Sequence, residues 1–238
     1  MKIWCSIFFT VWQAIPVMLQ GEICMKLVTE ALNTKVYDEL KKSIVEGEFP
    51  PEMQLVEAKI SEMYGISRTP LREALQRLCQ EGLICRCGKS YAVRRYTEED
   101  LLEICELQKM LNMFAVRKVI REMSGKASDA EAMIDEIYHP EEKNSFVSTD
   151  TFHTCIAQLV GNQQFLRIYQ MFRDQMRAFR AGVPENPEHE EKAQAYYREI
   201  YQAIKNRDEK QSEEIMERHA RLYIEDIRSD LAKAEASC

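Results

Sequence analysis

Glycine and proline are scarce, at eight and seven of 238 residues. With so few breakers, and with Leu, Ile, Met, Glu, Lys and Arg abundant, the chain favours helices. The eight cysteines (5, 24, 79, 85, 87, 105, 155, 238) are scattered. They form neither a zinc-ribbon pattern nor a C-x-x-C redox motif, and a cytosolic chain keeps them reduced as packing thiols. Cys85-x-Cys87 beside Cys79 is their only cluster. No internal repeat is present, and no motif supplies a nucleophile or general base, so an enzyme is not expected.

Long apolar runs are equally rare. Only Ile3–Gly21 lacks charge, and it sits at the lower limit of about twenty residues for a membrane span. Gln13, Pro16 and Gln20 interrupt it, no small-x-small cleavage site follows, and Gly21-Glu22-Ile23-Cys24 is a poor lipoprotein site. The expectation is that residues 1–24 are a non-native extension and that translation starts at Met25, with purine-rich codons for Gln20-Gly21-Glu22 acting as a ribosome-binding site. A genuine membrane segment and an extra packed helix are the other two readings. The length suits two domains, 25–96 and 97–238.

What the chain does have is concentrated between Lys59 and Arg95. A short amphipathic segment (Ile60, Met63, Tyr64) breaks at Gly65, where a left-handed cap costs least. A second helix opens at Ser67-Arg68-Thr69-Pro70, a sequence suited to capping and to a first turn without an N–H. Leu71, Ala74, Leu75 and Leu78 share one face of it, and Arg68 and Arg72 project together from the other. After Gly82, two β-forming runs flank Cys87-Gly88-Lys89 and predict a small hairpin. Helix, tight turn, helix and hairpin make a winged helix-turn-helix. Between Ile66 and Tyr96 seven Arg or Lys oppose two Glu, a local +5 in a chain of −7. Long cations near a recognition helix's N-terminus reach guanine edges and phosphates.

From Val36 onward the chain resembles the GntR family of bacterial transcription regulators. The resemblance lies in VYDELKKSIVEGEFPPEMQL (36–55) and ISRTPLREALQRLCQEGLI (66–84). It implies that Arg68 and Arg72 read bases and that Ser67 and Thr69 help hold phosphate. It also implies that Gly88, at the wing tip, lets the backbone approach the minor groove. Lys59, Arg77 and Lys89 complete the DNA-facing set. The sequence departs from the family at Ala58-Lys59, where Arg-Glu is usual, and at Glu52, where Gly is preferred after proline.

Lys35–Glu48 predicts the first helix, with Val36, Leu40 and Ile44 in register and Phe49-Pro50-Pro51 ending it. Thr97-Glu98-Glu99-Asp100 is a helix start and marks the domain boundary. Beyond it the pattern predicts only helices: 98–123, 127–138, 149–160, 163–181, 188–206 and 209–234. His139 and His189 are placed in loops.

This half resembles the FCD ligand-binding domain of the FadR branch of that family, through FHTCIAQLVGNQQFL (152–166), REIYQAIKNRD (198–208) and His219. The resemblance implies a helical barrel around a small organic acid, often beside a divalent ion, Zn or Mn, held by one Asp and three His. Here His153 and His219 match. The expected Asp falls at Thr149 with Asp150 next to it, and the middle His falls at Tyr197. Two further positions, usually Arg and Glu, are Gln108 and Asn112. Tyr197 is a poor ligand at neutral pH, and two imidazoles alone bind metal weakly. The expectation is a metal-free interior in which His153 and His219 hydrogen-bond Tyr197. The alternative is a reduced metal site of Asp150, His153 and His219. Arg173, Arg177 and Arg180 form a helix stripe able to clamp a carboxylate, or simply a solvated face. The effector-facing set is therefore Gln108, Asn112, Arg173, Arg177 and Tyr197.

Taken together, the sequence reads as a mostly α, cytoplasmic, homodimeric repressor. It has an N-terminal winged helix-turn-helix for a palindromic operator and a C-terminal helical bundle or barrel for a small-acid effector. The alternative is a membrane-tethered regulator or sensor using residues 3–21.

Overall fold

The computed structural model describes residues 33–123, 138–139, 145–146, 149–183 and 187–236. The expectations for residues 1–24, and nearly all of the helix expected at 127–138, lie outside them. The chain divides after Arg94 into two compact units.

The first unit begins with α1 (33–45), which buries Val36, Leu40 and Ile44. A turn through Pro50-Pro51-Glu52 leads to β1 (Gln54–Leu55), α2 (Glu57–Tyr64) and α3 (Arg68–Gln80). Gly65 ends α2 in the left-handed region, with φ 62° and ψ 35°, so the tight turn forms where a side chain is least tolerated. Leu71, Leu75 and Leu78 on α3 are fully buried against the rest of this small core. The wing is β2 (Ile84–Cys87) and β3 (Ser90–Val93), paired from Ile84 with Val93 to Cys87 with Ser90. The sheet order is β1-β3-β2. β1 has no counterpart in the sequence reading, since two residues are too short to show a period. It forms because Gln54 and Leu55 lie opposite Ala92 and Tyr91.

The second unit is built on α4 (Glu98–Met123), α5 (Thr149–Leu159), α6 (Gln163–Ala181), α7 (Pro187–Lys205) and α8 (Glu209–Ala236). Thr97 and Asp100 cap α4 reciprocally: the Asp100 amide donates to Thr97 Oγ1 at 3.2 Å and the Thr97 amide donates to Asp100 Oδ2 at 3.0 Å. Asn162 caps α6, accepting from the amides of Gln164 and Phe165. α4 and α8 run antiparallel, tied in turn by Glu98–Arg228, Lys109–Glu217, Arg117–Glu213 and Arg121–Glu209. Exposed pairs of this kind set orientation more than stability. The core between α4, α5, α6, α7 and α8 holds Val116, Phe152, Ile156, Phe165, Ile200 and Met216.

Two expectations are corrected here. Strands do occur in this unit: Tyr138–His139 (β4) pairs antiparallel with Ser145–Phe146 (β5). His139 is therefore in a strand, and the strand takes in Tyr138, where the helix was expected to end. His189 lies in the first turn of α7 and not in a loop. Among the described residues no helix is long and apolar enough to cross a membrane.

Candidate functional site

The residues expected to face DNA are all exposed on the first unit. Ser67, Arg68, Thr69 and Arg72 are exposed at the start of α3, Lys59 is exposed on α2, and Gly88 and Lys89 form the two-residue wing tip. Gly88 has φ 62° and open space around its missing Cβ, so the bare backbone stands at the apex of the wing. Ser67 occupies the N-cap position with extended backbone, but its hydroxyl makes no capping hydrogen bond. The cap expected there is absent. The first turn of α3 carries no acidic residue, so its amides and dipole are arranged to suit an anion.

The arginines of α3 differ in what holds them. Arg72 Nε donates to Glu57 Oε2 at 2.8 Å, a tether from α2. Arg77, although exposed, lies over a side chain of α1: its guanidinium is 3.6 Å from the centre of the Tyr37 ring and its Nε donates to Glu81 at 3.2 Å. Tyr37 in turn donates to Glu81 at 2.6 Å and accepts from Lys41 at 3.0 Å. Burial, then the Glu81 carboxylate, pushes the phenol up to about 12. Arg77 therefore clasps α3 to α1. Of the cysteines, Cys105 and Cys155 are buried, as packing thiols should be, while Cys85 and Cys87 are exposed on β2.

In the second unit, one part-buried chain of hydrogen bonds joins four helices. Tyr169 on α6 donates its hydroxyl proton to Asn112 Oδ1 on α4 at 2.6 Å. The same hydroxyl lies 2.6 Å from His153 Nδ1 on α5, and His153 Nε2 lies 2.6 Å from the Tyr197 hydroxyl on α7. Burial, then the nearby His219, pushes the His153 imidazole down to about 3, so the ring is neutral. Burial likewise holds the Tyr169 phenol well above its ordinary value. His219 on α8 stacks on Tyr196, with centroids 3.7 Å apart and 10° between planes, and burial pushes it down to about 4. Phe152 and Tyr196 flank Tyr197 at 4.8 and 5.0 Å.

The stripe of arginines on α6 also divides. Arg180 Nη1 bonds Asp230 Oδ2 at 3.0 Å, and its guanidinium lies 5.0 Å from the Tyr223 ring. Arg177 is exposed. Arg173 is half-buried; burial lowers its basicity, while the adjoining Tyr197 and Tyr223 oppose that shift. Gln108 and Asn112, four apart on α4, are half-buried.

Residues 32–90 match the model of bacterial regulatory proteins of the gntR family, and residues 103–222 match that of the FCD domain. The chain belongs to the GntR family and carries an FCD domain. The regulator YdhC of Bacillus subtilis (strain 168) is 32% identical over 130 residues, which are 54% of this chain and 55% of that protein. The chain thus spans about half the length of that relative. The transcriptional repressor NanR of Edwardsiella tarda (strain FL6-60) is 24% identical over 218 residues, covering 81% of this chain and 84% of its own. Among solved structures, E. coli McbR/YncC superposes with a TM-score of 0.62 at 18% identity, covering 83% of this chain and 97% of its own, and so shares the fold. The family and these relatives are transcription regulators, not enzymes.

The divalent ion that resemblance to FCD domains implies does not fit the residues present. A metal-bound imidazole offers a bare nitrogen lone pair at about 2.0–2.1 Å and donates from its other nitrogen. Both nitrogens of His153 are already engaged by tyrosine hydroxyls. His219 does not hydrogen-bond Tyr197 as expected but lies flat on Tyr196. The Asp150 side chain lies outside the described residues, and among those described no group of three His, Cys, Asp or Glu converges. Sequence reasoning missed Tyr169, Tyr196 and Glu57. Tyr169 sits in the amphipathic stripe of α6 and looks like any core aromatic, so no sequence signal marked it.

Proposed function

We propose that this GntR-family regulator is a cytoplasmic homodimer that binds a palindromic DNA operator through α3 and the wing. Operator occupancy blocks transcription, and a small organic acid in the FCD unit changes that occupancy. The observation that carries the DNA reading is the start of α3. There an uncapped helix N-terminus, exposed Arg68 and a tethered Arg72 stand on one surface, with Lys59 on the neighbouring helix and Lys89 at the wing tip. Two copies related by a two-fold axis read two half-sites, which makes the operator palindromic. Arg173, half-buried near Tyr197 and Tyr223, is the donor we assign to a carboxylate. Coupling between acid and DNA is reciprocal, so the operator changes acid affinity by the same factor.

The test is selection of a random duplex library on the full chain. Enrichment of a palindrome is expected. Arg68→Ala is then expected to weaken the selected duplex roughly ten- to hundredfold, since one bidentate base contact is worth about 1–3 kcal/mol. Arg77→Ala is expected to lower stability instead, because its guanidinium holds α3 to α1. No enrichment, or full affinity in Arg68→Ala, would refute the DNA reading.

A further inference from the structure

We infer that the place which resemblance assigns to a divalent ion is, in this chain, a fixed tyrosine–histidine–tyrosine chain that excludes metal, so that the effector is recognised by side chains alone. The effector clause rests on the function proposed above; the exclusion of metal does not.

The proton positions follow from the partners. Asn112 Oδ1 can only accept, so the Tyr169 hydroxyl proton goes to it. The Tyr169 oxygen therefore accepts from His153, which places the imidazole proton on Nδ1. In a neutral ring Nε2 is then the bare nitrogen, and its single lone pair takes the Tyr197 hydroxyl proton. That lone pair is the one a metal would need. Tyr197 is not free to swing aside. It is 4% exposed and wedged between the rings of Phe152 and Tyr196, whose own outer face is covered by His219. Replacing the middle imidazole of the family's site by a phenol thus does more than remove one ligand. It also closes off the ligand that remains at His153.

The full chain is dialysed against Zn²⁺ or Mn²⁺, freed of unbound ion and assayed by elemental analysis, with thermal unfolding recorded alongside. The expected result is substoichiometric metal and an unchanged midpoint. One metal per chain, lost in His153→Ala, would overturn the inference. Tyr197→His is expected to reverse the outcome, retaining stoichiometric metal with a raised midpoint; if it too stays metal-free, Tyr197 is not what excludes the ion and the inference falls. Nitrogen-15 spectra of the wild-type imidazoles give a reading independent of any variant. A His153 protonated on Nδ1 is expected, and protonation on Nε2 would break the argument at its first step. Failure of the effector reading would appear separately, as DNA affinity that no small carboxylate alters, with the metal results unaffected.

Discussion

Glu52 is exposed with φ 68°, a backbone conformation that costs an L side chain about 1–2 kcal/mol and that glycine adopts freely. Its amide is held there by the Val93 carbonyl at 2.9 Å, which joins the turn before β1 to the end of β3. The family's preference for glycine at this position has its physical reason in that angle. Glu52→Gly is expected to raise stability by about 0.5–1 kcal/mol after the extra entropy lost by glycine, read as a higher urea midpoint. An unchanged or lower midpoint would show that the turn is not strained. At the other site, His153 and His219 have folded-state values of about 3 and 4, below the ordinary value near 6.5. The unfolded chain therefore takes up protons that the folded chain refuses. Their contribution is complete above pH 6.5 and is lost as the pH falls from there towards 4 for His219 and 3 for His153, by at most about 1.4 kcal/mol per pH unit for each ring. Unfolding midpoints measured between pH 7 and pH 5 are expected to fall, and His153→Gln is expected to flatten the slope. An unaltered slope in that variant would mean the buried ring is not its source.

Elements with a strong period and defined ends were the most legible. α4 and α6 run over the residues that their periodicity predicts, because each opens on a residue able to cap it, Thr97 and Asn162, and each buries one apolar stripe. The turn at Gly65 and the hairpin at Gly88 were legible for a similar reason: few residue types accept those angles. β1 and the β4–β5 pair were not, since two-residue strands are created by their partners rather than by their own sequence. The same holds at the two sites. Arg68 and Arg72 show themselves by spacing and charge, whereas Tyr169 meets His153 only because α5 and α6 fold against each other. Local capping makes its own prediction. Thr97→Ala removes the hydroxyl that accepts from the Asp100 amide and is expected to cost about 1 kcal/mol in the helical unit, while Thr97→Ser stays within a few tenths. Chemical denaturation of the two variants decides it, and equal loss in both would place the effect in the threonine methyl rather than in the cap.

At the scale of the whole molecule, the helical unit leaves an apolar surface that a lone chain has no use for. Leu107, Met110 and Phe114 lie three and four residues apart along one face of α4 and are 43%, 58% and 51% exposed. Phe114 touches Phe165 at 5.5 Å, and one turn further along α6 Ile168 is 47% exposed, which extends the patch onto a second helix. Exposed apolar side chains grouped in this way are what the proposed dimer would cover. A two-fold dimer fits, because one patch then covers its own copy and both partners are satisfied at once. The same symmetry would supply the paired half-site reading that the DNA proposal requires. Replacing Leu107 and Met110 together by Glu places charges on that patch and leaves Phe114 and its contact with Phe165 in place. The expected outcome is a monomer by light scattering at micromolar concentration, with unchanged helical circular dichroism and much weaker binding to the selected palindrome. Weakening follows because each half-site must then be found independently, without the second copy held nearby. A double variant that remains dimeric would move the interface elsewhere on the chain. One that is monomeric yet binds the palindrome at full strength would show that a single winged helix suffices, and the palindrome would lose its link to protein symmetry.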